Sequence, residues 1–194
     1  MNKHCVAELP AGYRPALVVD AKNAKFGIVM NVVALLIMIA IMIPAVFLIK
    51  PTGFFENYSL TRNIVLVGAM LLYIVLHELT HGLAYKLLTK QKLTFGITLT
   101  VAYCGVPHVY VYRKAAMIAL LAPFLAFLPV FLLPIFFLEN AWDQLYCAIL
   151  LALHIGGCAG DLYDTLLYIF RFRRTDTLMR DTGPKQTFYV KSDA

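Results

Sequence analysis

Four apolar runs, residues 26–49, 64–88, 115–138 and 145–170, constrain this chain more than any other feature of its sequence. About 20 apolar residues in a helix cross a bilayer, and each run is long enough. A composition that is 61% hydrophobic and 14% charged agrees, since soluble domains carry about 25% charged residues. The expected fold is therefore an all-α membrane protein, a four-transmembrane-helix bundle. It would have an N-terminal tail (1–25), a transmembrane domain (26–170) and a C-terminal tail (171–194) that is at best partly ordered. The first run is too long for a signal-peptide core and ends without a small-residue cleavage pattern, so it is expected to persist as a helix.

Charge sets the expected orientation. Fifteen of the seventeen Lys and Arg residues precede residue 26, lie at the end of run two or between runs two and three, or follow residue 170; only Lys50 and Arg62 lie elsewhere. The positive-inside rule then places both termini and the middle segment in the cytoplasm, with the cell membrane as the expected location. The net charge of +6 is accounted for by this asymmetry and by anionic lipid headgroups, so the lipid bilayer is an expected partner and nucleic acid is not. The four cysteines form no C-x-x-C pair, and no disulfide framework is expected.

Within the second run stands "LHELTHG", residues 76–82. Ionisable groups inside a bilayer cost about 2.5–3.5 kcal/mol each on insertion scales and mark function. On a helix, His77 and His81 share one face, and Glu78 adjoins them. This is the H-E-x-x-H arrangement, in which two histidines hold zinc and the glutamate is a general base. The blander reading is a pair of hydrogen-bonded bundle histidines beside a stray glutamate. Catalytic zinc takes three protein ligands and keeps one position open. The fourth run offers His154, Cys158, Asp161 and Asp164 in "HIGGCAGDLYD". At 1.5 Å per residue, His77 and His81 lie about 22 and 28 Å from Arg62, while Asp161 lies about 27 Å from Asp143. Asp161 matches in depth, and Asp164, at about 32 Å, is the alternative ligand. Gly156, Gly157 and Gly160 are expected to let this helix approach the second one closely.

Between runs two and three, Phe95, Ile97, Leu99, Val101 and Tyr103 alternate with small or hydroxylated residues, and Gly105–Pro107 has turn chemistry. The period predicts a cytoplasmic-side β-hairpin over residues 92–112; an unpaired greasy connector is the other reading.

An H-E-x-x-H in a transmembrane helix, a hairpin after it, "RKAAMIALLAPFLAFLP" opening the next helix and an Asp beside glycines later resembles the site-2-protease-like intramembrane zinc metalloproteases. It is most similar to their small putative zincin peptidase branch. The likeness covers roughly residues 60–170. An Asn-Pro-Asp-Gly element near the third ligand is replaced here by "AGDLYD", and the Gly-Pro that opens the third helix is Ala122-Pro123.

The expected activity is zinc-dependent hydrolysis of a peptide bond in or near the membrane, using one zinc ion on His77, His81 and Asp161, with Glu78 as base. His154 and His108 are the expected oxyanion or auxiliary residues. The hairpin residues Phe95, Ile97, Leu99 and Val101 are expected to hold a membrane-protein or peptide substrate as an added strand. A metal transporter, a metal sensor and a catalytically inactive zinc-stabilised scaffold are the competing functions.

Overall fold

The computed structural model describes residues 3–53, 57–98 and 102–192. Among the described residues are the helices α1 (Ala24–Ile49), α2 (Leu60–Thr89), α3 (Arg113–Phe137), α4 (Ala141–Gly157) and α5 (Ala159–Phe170). The strands are β1 (Cys5–Val6), β2 (Tyr13–Asp20), β3 (Thr94–Ile97), β4 (Ala102–Gly105), β5 (Tyr110–Tyr112), β6 (Leu178–Asp181) and β7 (Lys185–Lys191). The chain divides into two compact units. The first comprises Met1–Ile28, Val75–Pro123 and Asp161–Ala194, and the second Val29–Ile74 and Phe124–Gly160.

The second unit is made of apolar helix. α1 buries none of its side chains, and Phe47 and Leu48 stand 73% and 81% exposed. A helix in water hides one face; one that hides none needs an apolar solvent. α4 begins at Asn140, whose side-chain oxygen accepts from the N–H groups of Trp142 and Asp143 and so satisfies two of the amides left over at a helix start. The close approach expected of the helix glycines occurs at Gly156, where an added Cβ would lie 2.9 Å from Met38 and 3.0 Å from the Ala34 carbonyl. The neighbour there is α1, and Gly157 and Gly160 have nothing within 4 Å. Three helices, α1, α2 and α3, are long and apolar enough to cross a membrane. The number becomes four if α4 and α5, which break at Cys158, count as one span.

The first unit contradicts the all-α expectation. It holds a five-stranded antiparallel sheet of order β1-β5-β6-β7-β2 and a separate β3–β4 pair. Both terminal segments contribute: Leu17 pairs with Phe188 and Val18 with Thr187 along β2–β7, with a register shift at Pro15, which has no N–H to give the ladder. Val111, Met179 and Phe188, all 0% exposed, form a core with Ala115, Ala116 and Ala119 of α3, Tyr85 of α2, and Tyr168 and Phe172 beyond it. The Phe172 and Phe188 rings stack at 4.9 Å. The four-helix bundle is therefore replaced by apolar helices joined in sequence to a mixed α/β unit with a buried core of its own. The sheet escaped the sequence reading because its pairings are remote and its edge strands are as short as two residues.

The hairpin between α2 and α3 is present, in a different register. β3 and β4 pair from Thr94↔Gly105 to Ile97↔Ala102, so the expected turn at Gly105–Pro107 follows the second strand instead of joining the two. That stretch leads into β5, which joins the other sheet. Leu99 and Val101 lie outside the described residues.

Candidate metal centre

α2 carries a polar residue at every fourth position of one face: His77, His81, Tyr85 and Thr89 are 8%, 6%, 1% and 1% exposed. The stripe is buried while the apolar Leu79, Leu83 and Leu87 of the same helix stand exposed. α5 opens with Asp161 in its first turn. The structure brings His77, His81 and Asp161 together. His77 Nε2 and His81 Nε2 are 3.2 Å apart, and Asp161 Oδ2 lies 3.3 Å from the first and 3.2 Å from the second.

These separations fit zinc. Ligands about 2.0–2.1 Å from a tetrahedral ion stand about 3.3 Å from one another. The donor chemistry fits as well. His81 Nδ1–H donates to the Ala119 carbonyl at 2.8 Å, which leaves Nε2 to face the other two groups. Two imidazole nitrogens and a carboxylate oxygen so placed are a set that a bound cation would draw together. The carboxylate–imidazole set is one that could hold a metal ion and suits zinc among common metals.

Glu78 is half-buried beside this group and interacts electrostatically with His77, His81 and Asp161. Its carboxylate accepts from the backbone N–H of Cys104 in β4. Burial pushes the Cys104 thiol up to about 12, so it stays protonated and inert. The hairpin sits on α2 where Gly82 leaves room: a Cβ there would lie 2.6 Å from the Phe95 ring and 3.2 Å from Leu93. The last residue of "LHELTHG" is thus a packing requirement of β3. Phe95 and Ile97 remain 48% and 78% exposed.

Other expected residues are not members of the His77–His81–Asp161 group. Asp164 is buried one turn beyond Asp161, outside the three-residue group, and its Oδ1 has no hydrogen-bond partner among the described residues. His108 is exposed on the turn between β4 and β5. His154 belongs to the second unit and is 0% exposed; its Nε2–H donates to the Phe124 carbonyl (3.1 Å), and its Nδ1 accepts from the Tyr73 hydroxyl (2.7 Å). Phe124, Phe127 and Phe131 surround its ring.

Sequence reasoning passed over the layer behind the ligands. Asp181 Oδ2 accepts from the Tyr85 hydroxyl at 2.7 Å, and Oδ1 accepts from Gly183 N–H at 2.8 Å. The Asp181 carbonyl accepts from Val106 N–H at 2.9 Å, and Gly183, at φ +97°, passes under the Tyr103 ring. One turn of the C-terminal hairpin therefore holds both the helix of His77 and His81 and the strand that meets Glu78. The fourfold spacing of Tyr85 from His81 was the available signal.

Two histidines and a carboxylate that could hold a metal ion, with Glu78 beside them, are a set of groups of the kind a metallopeptidase uses. Residues 70–176, more than half of the chain, match the model of the putative zincin peptidase family, and the chain belongs to that family. Membership implies zinc and suggests a metallopeptidase. No curated protein and no solved structure matches the chain.

Proposed function

We propose that this protein is an integral membrane zinc peptidase of the H-E-x-x-H type that hydrolyses a peptide bond within or beside the bilayer. The observation that carries this reading is the convergence of His77, His81 and Asp161 within 3.3 Å of one another, with Glu78 next to them. Zinc bound there supplies Lewis acidity toward a carbonyl and toward water. Glu78 takes the proton of the attacking water and delivers it to the leaving amine as the C–O bond forms and the C–N bond breaks. Asp161 supplies the one negative charge of the ligand set.

The substrate class follows from the surroundings. β3 pairs with β4 and, among the described residues, has no strand on its other side. An extended segment of a membrane protein or peptide adding to that edge would bind through backbone hydrogen bonds, with Phe95 and Ile97 selecting side chains. The segments preceding α1, following α2 and following α5 share one unit, and strands from all three share one sheet, so they lie on one side of any membrane the helices cross. Their basic residues make that side the cytoplasm, and the return crossing falls to α4 and α5.

The test compares purified wild type with Glu78→Gln in detergent on a candidate membrane substrate. Turnover should fall about 10²–10⁴-fold with bound zinc unchanged. Equal turnover by the two proteins would refute the role of Glu78. Metal flux in liposomes without cleavage would identify a transporter instead.

A further inference from the structure

The Ala119 carbonyl is the group that orients His81, and its availability is unusual. In an α-helix the carbonyl of residue i accepts from the N–H of residue i+4. For Ala119, within α3, that residue is Pro123, which has no N–H. Ala119 is 0% exposed and Pro123 is fully buried, so water does not fill the vacant role. The one hydrogen bond available to this carbonyl at full strength is the 2.8 Å contact from His81 Nδ1–H.

We infer that Pro123 is a positioning residue: by removing the helical donor from Ala119, it reserves that carbonyl for His81 Nδ1–H and so fixes the His81 tautomer and ring plane that aim Nε2 at His77 and Asp161. The inference deepens the zinc-peptidase reading and rests on it for its purpose, though not for its geometry. A carbonyl already engaged along the helix axis would offer a second lone pair at a poorer angle, and the imidazole would be free to turn or to carry its proton on Nε2. Metal-ligating histidines are held by such outer hydrogen bonds, and losing one weakens metal affinity about 10–100-fold.

The arrangement makes an opposed pair of predictions. Pro123→Ala returns an N–H to the interior of α3, which should raise thermal stability, because proline is the poorest interior helix residue. The same change should weaken Co²⁺ binding about tenfold in a chelator competition. Pro129→Ala, in the same helix, should leave Co²⁺ affinity unchanged. The ¹⁵N shifts of labelled histidines should show His81 protonated at Nδ1 in the wild type and mixed between its nitrogens in Pro123→Ala. A purely structural proline would move stability and affinity together. Unchanged Co²⁺ affinity with Nδ1 still protonated in Pro123→Ala would overturn the inference, as would an equal loss of affinity in Pro129→Ala. If the wild type binds no Co²⁺, the zinc reading fails, and the tautomer measured in the metal-free chains still decides the role of Pro123.

Discussion

His81 has its two ring nitrogens turned in opposite directions, one to the Ala119 carbonyl and one toward His77 and Asp161, and that division suits it to the ligand role proposed for it. Asp161 and Asp164 show the contrast on a single helix. The first meets both imidazoles, while the second is 4% exposed with an unpartnered Oδ1. Asp161→Asn should therefore weaken zinc binding on the order of a hundredfold. Asp164→Asn should retain zinc and melt close to wild type, because an amide of the same shape replaces a buried carboxyl whose Oδ1 accepts no hydrogen bond; chelator competition and thermal melts check both. The convergence of His77, His81 and Asp161 was legible in the sequence because polar groups at matched depth in apolar runs need a reason. The partner of His81 was not legible, because a backbone carbonyl leaves no mark in the sequence except the proline four residues later.

At the scale of elements, the β3–β4 hairpin links the glutamate to the proposed substrate edge. Phe95 lies over Gly82, and the Cys104 amide meets Glu78. Proline at Phe95 or Ile97 should slow cleavage while zinc content stays constant; unchanged rates for both variants would remove the hairpin from substrate binding. Period-two alternation revealed this hairpin, yet the turn was misplaced, since Gly105 serves a different constraint. A Cβ at Gly105 would collide with the backbone of Thr182 and Gly183, so the glycine there marks a close chain crossing. β1 and β5, two and three residues long, carry no period to read. β7 buries Phe188 alone, between half-buried Thr187 and Tyr189, and its charged flanks made it resemble a tail.

On the scale of the whole molecule, the sheet makes the chain termini part of the fold. Asp181 marks where this matters: burial raises its carboxyl to about 6, against the lowering effect of the Tyr85 hydroxyl and the Gly183 amide. The folded chain thus holds the Asp181 proton more tightly than the unfolded chain does. Its stabilising contribution is complete below about pH 4 and disappears as pH rises through about 6, a change on the order of 3 kcal/mol. Melting temperature should fall between pH 5 and 7.5 in wild type and fall less in Asp181→Asn; identical slopes would exclude Asp181 as the source. Four apolar runs spoke plainly of a membrane but said nothing of a sheet, because hydropathy reports where a segment is solvated and not what a polar segment pairs with. The most direct test of the central claim is zinc content per purified chain, measured with zinc X-ray absorption on wild type, Glu78→Gln and Asp161→Ala. One zinc with nitrogen and oxygen neighbours in the first two, and its loss in the third, is the predicted result. Tight zinc retained by Asp161→Ala, or sulfur in the coordination shell, would contradict it.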